Sequence, residues 1–108
     1  MRFCIHRGTK EIGGTCVEIE ASGRRIIVDL GLPLNAAEAD PALVPQISGL
    51  REHDPSLLAI ILSHGHRDHW GLVPKVRPDI PIVMGKAAEN IMRAAADFVP
   101  DALMLLYY

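Results

Sequence analysis

Residues 57–71 read "LLAIILSHGHRDHWG": an unbroken aliphatic run, then His64, His66, Asp68 and His69 within a few positions of its end. A run this short and continuous predicts a strand buried on both faces, because a half-exposed strand would alternate polar and apolar residues. Side chains in the loop that follows stand on a rigid base, which suits a site whose geometry must be set in advance. His64 and His66, two apart on extended backbone, project to the same side and can share one metal ion through imidazole nitrogens. Asp68 and His69 continue into the turn and can reach a second position nearby. Imidazole with carboxylate oxygen is a donor set that zinc accepts and that manganese or iron also tolerates. A closed structural zinc site usually recruits thiolate, and neither Cys4 nor Cys16 belongs to the cluster.

The rest of the chain sets limits on this reading. With 108 residues and 49% hydrophobic content it is long enough for one modest core and too short for two. A formal charge of -2 gives no overall pull toward nucleic acid or an anionic membrane. The basic clusters at Arg2, Arg7 and Lys10, at Arg24 and Arg25, and at Lys75 and Arg77 read as solvated charge. Two cysteines make no disulfide framework. Both lie in strand-like segments, so they are expected as buried free thiols in a reducing compartment. The charged first twenty residues carry no targeting pattern, and the longest apolar tracts fall far below the ~20 residues of a membrane span. A cytoplasmic protein with no membrane partner is expected.

Along the chain, "RFCIH" and "CVEIEA" predict strands, and Ser22-Gly23 offers a tight turn into "RRIIVDLG". The three form an antiparallel meander. Residues 33–55 predict a long connection with one helical turn around 42–47. After the histidine cluster, "IPIVMG" predicts a further strand, and "KAAENIMRAAADFV" a helix with Ala88, Ile91, Met92, Ala95 and Phe98 along one stripe. "GTKEIGG" is glycine-rich, but no Gly-Lys-Ser/Thr follows, so it predicts a turn and not a phosphate-binding loop. His6 and His53 stand alone and read as surface or satisfied core residues.

"SHGHRDHWG" behind "LLAIIL" resembles the His-x-His-x-Asp-His motif of the metallo-β-lactamase-fold hydrolases, and "IIVDLG" resembles their earlier strand ending in Asp-x-Gly. "EIGGTCVEIEASGRRIIVDLGLPL", "HWGLVPKV" and "IPIVMG" are similar to the amino-terminal part of ribonuclease J and its β-CASP relatives. The resemblance implies an α+β fold, the αββα sandwich of that family, of which residues 1–108 supply a partial, amino-terminal half. It implies two divalent metal ions, zinc in preference to manganese, with His64 and His66 on one ion and Asp68 and His69 on the other. Asp68 takes a proton-handling role as well, and Asp29 orients the imidazoles from beneath. The loop of Thr9 and Lys10 is placed near the mouth of the site. The implied reaction is hydrolysis of a phosphodiester, with RNA as partner of the complete enzyme, by a hydroxide bridging the two metals.

The sequence departs from that family in one respect. A full site takes further ligands from later strands, yet no histidine follows His69, and Asp79, Asp97 and Asp101 stand in no ligand context. Each metal would have two ligands from this chain, below the three plus water of an ordinary catalytic zinc. The favoured expectation is therefore a fragment of a metal-dependent ribonuclease whose remaining ligands come from elsewhere, a second copy or a complementing chain. One alternative keeps the family and changes the substrate to a thioester, a lactam or a small phosphodiester. The other is an inactive metal-binding or interaction half-domain that pairs through "ALMLLYY".

Overall fold

The computed structural model describes residues 1–7, 13–33, 36, 39–86 and 90, with the backbone alone for Arg67 and Asp68. The expected loop at Thr9 and Lys10, the "ALMLLYY" segment, and the expected helix after Gly85, apart from Lys86 and Asn90, lie outside the described residues. Five strands form one mixed sheet in the order β1-β2-β3-β4-β5: β1 Arg2–Arg7, β2 Cys16–Ala21, β3 Arg24–Val28, β4 Leu57–Leu62 and β5 Ile82–Met84. The first three are antiparallel neighbours, as the meander reading expects, while β4 joins β3 and β5 joins β4 in parallel. Ser22 and Gly23 both have positive φ, 52° and 75°, the backbone of a two-residue hairpin whose twist matches its strands.

Where they are described, the connections are short helical turns and irregular chain. Pro41–Leu43 is a 3-10 turn, α1 is the single turn Arg67–Trp70, and Val73–Lys75 is a second 3-10 turn. The helical turn expected around 42–47 sits slightly earlier. Its cause is Asp40, whose carboxylate accepts from the Ala42 N–H at 2.9 Å, with Pro41 pre-set in the first position.

Register sorts the side chains onto two faces. One face carries the row Cys4, Glu18, Ile27, Ile60 and Ile82, with Leu62 beside Met84. Against it pack Leu30, Leu32, Val44, Ile47 and Leu50 from the β3–β4 connection, and Trp70, Leu72, Val73 and Val76 from the β4–β5 connection. Each fully buried Leu or Ile contributes roughly 1.5–3 kcal/mol here. The opposite face carries two apolar rows, Ile5-Val17-Val28-Ile61-Val83 and Phe3-Ile19-Ile26-Ala59. None of these nine is buried, and Phe3 and Ile5 are exposed.

That second face corrects two expectations. β4 is not buried on both sides: Ile60 and Leu62 are, but Ala59 and Ile61 are half-buried and Leu58 is exposed. Its continuous aliphatic run answers to two apolar faces, of which the described residues cover one. Cys4 is exposed and only Cys16 is buried, because β1 is the edge strand and the covering connections do not reach across it.

At the start of β3, Arg25 is buried and fully engaged. Its guanidinium donates to Ser56 Oγ (3.0 Å), Glu18 Oε2 (3.0 Å), the Ser48 carbonyl (2.8 Å) and Asp54 Oδ2 (2.9 Å). Glu18 also meets His6 Nε2 at 2.8 Å. Burial works against the Glu18 charge, yet the bonds from His6 and Arg25 outweigh it and hold the carboxyl below its ordinary value of 4.5. Bonds from Ser48 and Ser56, with Arg25 beyond, hold Asp54 below its ordinary 3.8. Both groups thus have folded values below their unfolded ones, so their stabilisation is complete above those ordinary values and is lost as pH falls through the lowered ones. Urea midpoints should fall as pH drops below about 4.5. In Arg25→Met the acid-side fall should be shallower, and an unchanged acid limb would contradict this network. Burial pushes the Cys16 thiol up to about 12, with Arg7 opposing. A disulfide reagent at pH 8 should accordingly modify one thiol per folded chain at once, Cys4, and the second only in denaturant.

Candidate metal centre

β3 and β4 run parallel, so their carboxyl ends lie side by side, and both open into this site. Asp29 is the first residue past β3. It is 2% exposed and holds a left-handed backbone, φ 64°. Asp tolerates that conformation better than most residues because its short side chain can bond locally. Here the side chain bonds across the sheet instead: Oδ1 accepts from the Ser63 N–H at 2.7 Å, and Oδ2 accepts from Ser63 Oγ at 2.6 Å and from His69 Nδ1 at 2.8 Å. Backbone bonds run beside these, from Asp29 N–H to the Ile61 carbonyl (2.8 Å), from Leu30 N–H to the His69 carbonyl (2.9 Å) and from Leu72 N–H to the Leu30 carbonyl (3.0 Å). The segment after β3 and the histidine loop are thereby laced together from Ser63 to Leu72.

Of the residues singled out from sequence, four of five have side chains in the described set. β4 ends at Leu62, so His64 and His66 stand in the loop beyond it and not on the strand. Their rings nevertheless come together, centroids 4.3 Å apart and inclined at 30°, with Nδ1 to Nδ1 at 2.6 Å. The His69 ring lies 5.0 Å from that of His64. Asp68 occupies the middle of α1, one residue before His69, and its side chain lies outside the described residues. Asp29 is joined to His69 directly and to the start of the loop through Ser63.

Three imidazoles gather at one end of the sheet, and that of His69 donates from Nδ1, since the carboxylate oxygen of Asp29 accepts. The spacing is that of a hydrogen bond. Two nitrogens on one tetrahedral zinc, each at about 2.0–2.1 Å, stand about 3.3 Å apart, so His64 and His66 would spread by a small ring rotation. Among the described residues no group of three or more His, Cys, Asp or Glu side chains stands in a metal-holding arrangement.

The remaining candidates are placed elsewhere. Asp79 precedes β5, at the far end of the sheet, and pairs with Arg77. His6 bonds Glu18, and His53 lies 3.4 Å from Arg77. Asp97 and Asp101 lie outside the described residues. Two residues that sequence reasoning did not assign to the site join it. Ser63 bonds Asp29 through both its N–H and its hydroxyl. Trp70, buried at 2% exposure, donates its indole N–H to the Gly65 carbonyl at 3.0 Å. A hydroxyl residue directly before the first histidine was the available signal for Ser63; nothing in the spacing marks an indole for a carbonyl five residues back.

Among the described residues no helix is long and apolar enough to cross a membrane. The chain is 34% identical over 91 residues to ribonuclease J of Mycobacterium tuberculosis (strain ATCC 25618 / H37Rv), which covers 80% of this chain and 16% of that protein. It is 32% identical over 98 residues to ribonuclease J of Mycolicibacterium smegmatis, covering 86% of this chain and 18% of the relative. A transcription termination factor FttA of Methanosarcina mazei is 38% identical over 69 residues, 62% of this chain and 10% of the factor. The chain thus spans less than a fifth of the length of these relatives. Among solved structures, a protein of unknown function from Enterococcus faecalis V583 superposes with a TM-score of 0.66 at 19% identity, over 98% of this chain and 32% of that one, a likeness of fold. The family model of the metallo-beta-lactamase superfamily matches residues 9–105, and the chain, which shows a mixed five-stranded sheet and few helices among its described residues, belongs to that superfamily.

Proposed function

We propose that these 108 residues are the amino-terminal, metal-loop half of the metallo-β-lactamase-fold domain of a metal-dependent nuclease acting on RNA. The observation that carries the reading is the Asp29 carboxylate, which grips Ser63 and His69 and so brackets the loop holding His64 and His66. Membership of the superfamily implies divalent metal use, and the similarity to ribonuclease J points the substrate toward RNA. In this reading His64 and His66 serve one ion, Asp68 and His69 a second, with zinc preferred over manganese. When bound, the ions would supply Lewis acidity to the phosphodiester and lower the pKa of water toward about 7.

The chain's own residues do the positioning. Asp29 holds the His69 imidazole with Nδ1 protonated and Nε2 turned away from the carboxylate, and outer carboxylates of this kind set both ring direction and basicity. Ser63 relays the same anchor to the start of the loop. To Asp68, one residue before His69 in the sequence, the proposal gives the uptake or return of a proton at the reacting phosphate. The cytoplasm is the setting that fits an RNA substrate and two thiols outside any disulfide.

The αββα sandwich is part of the proposal. The rows Ile5-Val17-Val28-Ile61-Val83 and Phe3-Ile19-Ile26-Ala59 present an apolar sheet face, and in this reading a second sheet packed about 10 Å away covers it. Further polypeptide, on the same chain or a complementing one, would bring that sheet and the remaining metal ligands.

The test is metal content and cleavage of labelled single-stranded RNA by the polypeptide that contains this chain, in wild type and in His64→Ala with His66→Ala. The double variant is expected to lose bound zinc or manganese and to cleave at least about 100-fold more slowly. Cleavage that survives the double substitution would rule the reading out. Hydrolysis of a thioester or lactam, but not RNA, by the wild type would move the substrate to another branch of the superfamily.

A further inference from the structure

We propose that Trp70 is a positioning residue: its buried indole N–H, by holding the Gly65 carbonyl, sets the spacing of His64 and His66. The inference rests on the metal reading above and extends it to a side chain that carries no metal-binding atom.

Gly65 is buried, whereas His64 and His66 on either side of it are exposed. A buried carbonyl needs a donor, and the structure supplies Trp70 Nε1 at 3.0 Å. The next carbonyl, that of His66, accepts from the His69 N–H at 2.9 Å. Consecutive carbonyls are therefore pinned, one by a side chain and one by the backbone of α1, and with them both peptide planes that flank His66. His64 is fixed from the other direction, since Asp29 holds the N–H and hydroxyl of Ser63 immediately before it. The peptide between Gly65 and His66 is the joint where these two restraints meet. Without the indole it would be free to turn, carrying the His66 ring away from the 4.3 Å approach to His64.

An indole suits this task for stated reasons. It is a donor only, so its bond cannot reverse. Its ring is also part of the core formed with Leu30, Leu62 and Leu72, so the N–H is aimed by packing against the sheet. The exposed histidine pair is in this way referred to the rigid interior and not to solvent. A phenylalanine would fill most of the same volume and leave the Gly65 carbonyl without its donor.

The test compares wild type with Trp70→Phe and with a protein carrying β-(3-benzothienyl)alanine at position 70, which keeps the outline of the indole and replaces N–H by sulfur. Two readouts are taken on folded protein: the nuclear Overhauser contact between the His64 and His66 rings without metal, and the dissociation constant for cobalt(II) from its visible absorption. Both replacements should lose or weaken the ring contact and raise the cobalt dissociation constant about 10-fold. A benzothienyl protein that keeps the ring contact and binds cobalt within twofold of wild type would overturn the proposal. A wild type whose ring contact depends on the indole but which takes up no cobalt would support the positioning and overturn the metal reading instead.

Discussion

One buried carboxylate organises this fold. Asp29 ends β3 with a left-handed backbone that costs roughly 1–2 kcal/mol, and the three hydrogen bonds its oxygens accept from Ser63 and His69 more than offset that cost. Because its own N–H continues the parallel ladder to Ile61, the same residue ends one strand, aligns the next and holds the loop beyond. Hydrophobic burial could place β3 beside β4 in more than one register. In the observed register Ser63 and His69 are both within reach of the carboxylate.

β3 carries a charged anchor at each end, and the two do different things. At its start, Arg25 gathers Glu18, Asp54, Ser48 and Ser56, which closes the long connection back onto the sheet. At its finish, Asp29 faces the histidines. The first anchor is fully satisfied within the described residues and is structural. The second leaves His64 and His66 exposed and close together, the condition in which imidazoles are available to a ligand. Between the anchors one sheet face is covered by the chain's own connections, and the other is a pair of apolar rows.

The strands were legible because their signals are local. "CVEIEA" and "LLAIIL" match β2 and β4 residue for residue, and the Ser22-Gly23 turn follows from backbone chemistry. Burial was less legible, since it depends on what packs where: Cys4 and Leu58 read as interior, yet lie beyond the reach of the covering connections. The histidine cluster was evident from composition and spacing alone. Its supports were not, because Ser63 acts through a residue 34 positions earlier and Trp70 through a backbone atom. Asp29 entered only by resemblance, and the tertiary contact is what gives it a physical reason.

The central claim is that Asp29 holds His69 by its Nδ1 proton, and the tautomer of His69 reports on it directly. Long-range proton–nitrogen correlation of the imidazoles in nitrogen-labelled protein, at neutral pH and without metal, separates the two tautomers. The account predicts that His69 is the Nδ1–H form in wild type and reverts to the mixture of a solvent-exposed ring in Asp29→Ala. A His69 that is protonated on Nε2, or whose tautomer is the same with and without the Asp29 carboxylate, would contradict it.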